Sequence, residues 1–244
     1  MLRSPTQMLF LSAVLLLLQM GSAAGQIPAD TLALVDSLFS RYDRVDGPGC
    51  VCGVMRRGGL VLSKAYGMAN LELDVPLSPS SVMYIPSTSK QFTAASIALL
   101  SLRGALDLDS EIHSYLPEMG DLGAPVTVRN LVHHTSGLRE YMEVAQLAGW
   151  TTRDYYDNQR VYQLLTKQKA LNFPPGSRFL YSNSNYVLLA EIVERVTGQS
   201  LREFADENIF GPLGMEDTHF SSDYREIVRN RAASYRPRDG GGSE

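Results

Sequence analysis

The chain has 244 residues, 44% of them hydrophobic and 20% charged, with a formal net charge of −4 at pH 7. That is a globular composition with room for one large domain or two small ones, and it excludes collagen-like and disordered chains. No basic stripe interleaved with aromatics runs through the chain, so a nucleic acid is not an expected partner.

The first 24 residues have the layout of a secretory leader. Arg3 precedes an apolar run from Met8 to Leu18, and small residues from Gly21 to Gly25 follow, so cleavage is expected after Ala24. The run is too short for a bilayer, which needs about 20 apolar residues, and no other stretch is apolar enough to span one. The expected location is secreted or periplasmic, with residues 25–244 as the folded part. Export permits disulfides, but Cys50 and Cys52 stand two apart on an expected strand, about 6.6 Å between Cα atoms. That is near the upper limit for a disulfide, so they read as two small buried hydrophobes. A single pair without a partner CxxC or HxxxH is a poor zinc site.

The spacing predicts a helix over 30–42, capped by Asp30. "CVCGVMRRGGLVLSKAYG" predicts a hairpin turning at Arg56–Gly59. A helix is expected from Ser87 to Leu102, stopped by Gly104, then a short turn before Pro117. Thr127 caps a short helix over 128–133, and Gly137 makes a turn. Further helices are expected over 159–171 and from Asn185 to Gly198, and after Ser200, whose partner in a capping box is Glu203. The tail "SYRPRDGGGSE" reads as a linker. An isolated hairpin is marginal in water, and few strand candidates remain after residue 220. The chain therefore reads as a partial α+β domain, an antiparallel sheet left incomplete beside a helix-rich block.

Two short motifs carry chemistry. In "STSK", Ser87 and Lys90 are three apart, so on a helix they share a face. A serine hydroxyl is a weak nucleophile and needs a neighbour to take its proton. At a helix N-terminus the free N–H groups and the dipole favour the negative charge that develops there. Lys90 serves as a base only if its pKa falls, and the apolar residues Phe92–Leu102 are expected to form the burying walls. S-x-x-K alone is a common tetrapeptide; what lifts it is "YSN", in a Pro/Gly-bounded loop before another helix. There Tyr181 can share a proton with Lys90 and bond Ser87, and the Asn183 carboxamide can hold a substrate carbonyl. Other tempting residues are set aside. His133 and His134 are adjacent and point apart, so they do not share a metal, and His134 is read as a structural loop residue. Ser136 lacks a G-x-S-x-G elbow. Trp150, Tyr155 and Tyr156 are read as packing rather than substrate contacts, and Glu111 and Glu118 as solvated.

These motifs, with "GPGCVCGVMRRGGLVLSKAYGMANLE", "VTVRNLVHHTSGL", "PPGSRFLYSNSNYVLLAEIVERVTGQSL" and "IFGPLGMEDTHF" in order over most of 46–220, resemble the serine β-lactamase and penicillin-binding-protein superfamily. The match is to its class C-like branch of D-aminopeptidases, D,D-carboxypeptidases and esterases. The resemblance implies a β-lactamase/transpeptidase-like α+β fold, acylation of Ser87, proton relay by Lys90, general base and acid work by Tyr181, and substrate orientation by Asn183. It also implies that the Ser87 N–H is half of an oxyanion hole, with no metal or cofactor and a small-molecule or peptide substrate. The family's third motif, Lys-Thr-Gly or His-x-Gly, is not found after Asn183, so either a fragment or truncated gene product is expected or the missing part is supplied elsewhere. Two readings follow: a secreted hydrolase of amides, β-lactams or esters, or a non-catalytic truncated homologue or peptidoglycan-binding module.

Overall fold

A computed structural model describes residues 27–151, 157–221, 223 and 225–236. The leader-like stretch, Tyr155, Tyr156 and residues 237–244 lie outside the described residues. The chain divides into two compact units, residues 1–84 with 228–244, and residues 85–227. Among the described residues there are seven α-helices and two small antiparallel sheets, an α+β content.

In the first unit, α1 (Ala29–Phe39) runs into a 3-10 turn over Ser40–Tyr42. Asp30 does not cap it. Pro28 holds that position, its carbonyl accepting from the Leu32 N–H, and Asp30 sits in the first turn, where the helix dipole favours its charge. The hairpin pairs β1 (Cys50–Arg56) with β2 (Gly59–Tyr66). Its turn residues Arg57 and Gly58 both have positive φ, 51° and 79°, the condition a two-residue turn with the strands' own twist imposes. Phe39 of α1 stacks on Tyr66 of β2 at 5.2 Å between ring centroids, and the Asp36 carboxylate accepts from Tyr66 and Lys64. Cys50 and Cys52 are free and half-buried. A second pair, β3 (Met68–Asn70) with β4 (Val75–Pro76), follows. Val82 and the 230–232 segment exchange backbone hydrogen bonds, and the Tyr235 hydroxyl accepts from the Leu71 N–H and donates to Glu72.

The second unit is helical. Its helices are α2 (Lys90–Leu102), α3 (Val128–Val132), α4 (Tyr141–Leu147), α5 (Asn158–Leu165), α6 (Asn183–Thr197) and α7 (Leu201–Ala205). α6 is central and packs on α2, α3, α5 and α7. It buries Leu188, Leu189, Ile192 and Val193 at i, i+1, i+4 and i+5, one face of a 3.6-residue period. They meet Ile97 and Leu100 of α2, Leu131 of α3, Val161 and Leu165 of α5 and Phe204 of α7 in one core. Local signals work as the sequence predicts at Thr127 and Ser200, each closing a capping box, and at Gly198, which ends α6 with φ 72°.

Three expectations need correction. The Ser87 helix begins as a 3-10 turn over Pro86–Ser89, and regular α2 starts only at Lys90. α2 is buried along one stripe, Thr93, Ser96, Ile97 and Leu100, while Leu102 is 85% exposed. α5 stops at Leu165 instead of reaching 171. The Gln168 side chain is buried, its Oε1 accepts from the Arg139 N–H, and the Asn172 N–H donates to Gly137 O, so those residues are drawn onto the 134–140 loop.

Candidate active site

The site is built where two helices begin side by side. Lys90 is the first residue of α2 and Asn183 the first of α6, and these helices pack together. Their N-terminal dipole ends therefore act on the same few atoms and favour negative charge there. The Ser87 Oγ accepts a 3.1 Å hydrogen bond from Lys90 Nζ and a 2.8 Å bond from the Tyr181 hydroxyl. Lys90 Nζ also donates to Asn183 Oδ1 at 2.8 Å, and the Tyr181 hydroxyl lies 3.3 Å from the same oxygen. All four residues singled out in the sequence thus meet within hydrogen-bonding reach, across as many as 94 positions of chain.

The rings of Tyr181 and Tyr186 lie beside Lys90, their centroids 5.1 and 5.7 Å from Nζ. Cations favour such ring faces. The Asn183 carboxamide is bonded to Lys90 through oxygen and to Glu140 through nitrogen. Partial burial pushes the Tyr181 phenol up, but hydrogen bonding with Lys90 and Ser87 and the Lys90 charge outweigh it, and the phenol titrates below its ordinary value of 10. The phenol therefore gives up its proton more readily than a free tyrosine does.

The extended approach of Tyr181 to α6 is held by the preceding loop. His134 has a positive φ of 55°, an uncommon and costly state for a residue with a Cβ. In that state its carbonyl accepts from the Leu180 N–H at 2.9 Å and its ring Nδ1 from the Ser182 N–H at 3.1 Å. The ring lies 4.5 Å from that of Tyr181 and 5.1 Å from that of Tyr186. Burial first, then the Lys90 charge, hold His134 below its usual pKa and keep it neutral. His133 is exposed, so the two imidazoles do point apart. Ser136 is buried, donates to Asn185 Oδ1 and accepts from the Leu138 N–H, which makes it a strut of the same loop. Trp150 carries the Arg160 guanidinium over its ring. Glu118 is not merely solvated, since it binds Arg195 and accepts from Tyr162, each at 2.9 Å.

Glu140 is the residue the sequence reading missed. Its two oxygens accept from the backbone N–H and from Nδ2 of Asn183. The available signal was its place: a carboxylate capping α4, three residues past the Gly137 turn.

Comparison with known proteins agrees with this architecture. The beta-lactamase family profile matches residues 35–244. A D-aminopeptidase of Cereibacter sphaeroides is 35% identical over 179 residues, 73% of this chain and 34% of that protein, and one of Brucella ovis is 37% identical over 178 residues, 72% and 34% respectively. The chain thus spans about a third of the length of these relatives. Among solved structures, the octameric penicillin-binding protein homologue from Pyrococcus abyssi superposes with a TM-score of 0.73 at 27% identity, covering 89% of this chain and 50% of that one. The D-amino acid amidase from Ochrobactrum anthropi SV3, at 23% identity, shares the fold with a TM-score of 0.69 over 84% of this chain and 57% of its own. The fold is that of the serine β-lactamases and penicillin-binding-protein-like enzymes. The chain belongs to the beta-lactamase family.

Proposed function

We propose that this protein is a serine hydrolase working through an acyl-enzyme on Ser87, with an amide or ester as substrate and a D-configured peptide or amide as the favoured class. The observation that carries the reading is the 2.8 Å contact of Tyr181 with Ser87, with Lys90 Nζ 3.1 Å from the same oxygen. The D-aminopeptidase relatives support the substrate class. The leader-like residues 1–24 support action outside the cytoplasm.

The chemistry runs as follows. Once the phenol has lost its proton, its bond to Ser87 reverses, and the Ser87 hydroxyl donates to the phenolate. Oγ attacks the carbonyl carbon as its proton passes to Tyr181. Lys90, bridging Ser87 and Asn183, stabilises the phenolate and the charge growing on Oγ. The intermediate collapses, and the leaving amine or alkoxide takes the proton back from Tyr181. Water then repeats the sequence on the acyl-Ser87 ester and releases the acid.

A fluorescent penicillin, an activated ester and the p-nitroanilides of D- and L-alanine test this, read by intact mass and by turnover. The expected result is an adduct on Ser87, absent from Ser87→Ala, with faster turnover of the D-anilide. The rival is a non-catalytic relative or peptidoglycan-binding module. Full-length protein that melts cooperatively yet gives no adduct and no turnover would establish that rival.

A further inference from the structure

Resting on the acyl-enzyme reading, we infer that Glu140 is a positioning residue that locks the Asn183 carboxamide in the one sense that presents its oxygen to Lys90. The argument is one of donors and acceptors. An ionised carboxylate only accepts, and an ammonium only donates. Asn183 stands between one of each. Its Nδ2 faces Glu140 Oε1 at 3.1 Å, and its Oδ1 faces Lys90 Nζ at 2.8 Å. Turning the amide over would set oxygen against carboxylate and N–H against ammonium, so both contacts would repel. The two flanking charges dictate the sense of the amide.

The grip has two points. The other carboxylate oxygen accepts from the Asn183 backbone N–H, which as the first residue of α6 has no partner within the helix. Glu140 thus fixes the start of the helix and the side chain together. It is itself fixed, because the Arg139 carbonyl accepts from the Ser184 hydroxyl at 2.6 Å and that hydroxyl accepts from the Tyr141 N–H at 2.8 Å. Residues 139–141 and 183–184 are therefore joined on both sides of the Glu140–Asn183 pair. Glu140 reaches Ser87 through its hydrogen bonds to Asn183 and through Lys90, as the outer partner of a ligand acts on a metal. Its charge also bears on Tyr181, opposing the lowering of the phenol's pKa.

The test compares Glu140→Gln, Glu140→Asp, Asn183→Ala and Glu140→Gln/Asn183→Ala by the rate of acylation with p-nitrophenyl acetate, in full-length protein shown to fold by its thermal transition. Glutamine has nearly the same shape but presents an N–H to Asn183, which frees the amide to turn over. Acylation is expected to fall on the order of 10²-fold, the loss typical of a reacting group displaced by about an ångström. Glu140→Asp keeps two accepting oxygens and is expected to recover part of the loss. In the Asn183→Ala background, Glu140→Gln is expected to cost far less, leaving only the effect of its charge on Tyr181. A folded Glu140→Gln acylated within threefold of wild type overturns the inference, and so does an undiminished Glu140→Gln loss in the Asn183→Ala background. A second readout needs no Glu140 variant. In wild-type protein one Asn183 side-chain N–H should exchange with water about tenfold more slowly than those of exposed Asn158, as a charge-assisted bond requires; equal rates overturn the inference. Wild-type protein inert to the ester refutes the acyl-enzyme reading alone, and the exchange rate then decides the Glu140 grip separately.

Discussion

Replacing Tyr181 with phenylalanine removes one oxygen and leaves the ring. The ring is the part that packs, 4.5 Å from His134, and it stays. The oxygen lost is the one bonded to Ser87 at 2.8 Å and lying 3.3 Å from Asn183 Oδ1. On a side chain 44% exposed, losing such bonds costs stability no more than about 1 kcal/mol. The rate should respond far more. A positioned general base contributes about 10²- to 10⁴-fold, or roughly 2.7–5.4 kcal/mol at 1.36 kcal/mol per decade. Acylation by an activated ester, followed by stopped flow across pH, separates the two effects. In wild type the rate should rise with pH as the phenol ionises and level off above its folded pKa, which lies below 10. In Tyr181→Phe the plateau should drop by at least about 10²-fold and the rising limb should vanish, with little change in melting temperature. A variant acylated within about threefold of wild type, or one that keeps the limb at the same midpoint, would refute the assignment of base to this phenol.

Two further outcomes follow from the 134–140 loop, which holds the segment that carries Tyr181. Gly137 has φ 77°, and a Cβ there would lie 2.2 Å from the Phe173 carbonyl oxygen, so Gly137→Ala should destabilise by at least about 1–3 kcal/mol in chemical denaturation; a variant of wild-type stability would show that the 134–140 loop is not held against Phe173. His134 is buried and neutral with a lowered pKa, so the unfolded chain binds its proton more readily. The stability this gives is present above the ordinary histidine value of 6.5 and is lost as pH falls towards the folded pKa. An NMR titration of the His134 ring should give a midpoint below 6.5, and a midpoint at or above that value would contradict the neutral acceptor role towards Ser182.

What the sequence determined by itself is everything whose cause lies within a few residues. The three-residue spacing of Ser87 and Lys90 brings the hydroxyl and ammonium together even though the helix there starts as a 3-10 turn, because either helical form sets i and i+3 near one face. Arg57–Gly58 makes the hairpin, Thr127 and Ser200 start helices, and Gly198 ends one, each through backbone geometry local to the site. Motif chemistry brought Tyr181 and Asn183 into the account, but their meeting with Ser87 depends on α2 packing against α6, which no local period encodes. Tertiary structure alone decided the rest. It drew Gln168 off α5 onto the Arg139 backbone, set Glu118 against Arg195 and Tyr162, and gave Lys90 aromatic neighbours from the start of α6 and the segment before it. It also recruited Glu140, whose carboxylate belongs to no motif and becomes informative only when Asn183 stands within hydrogen-bonding distance, 43 residues further along the chain.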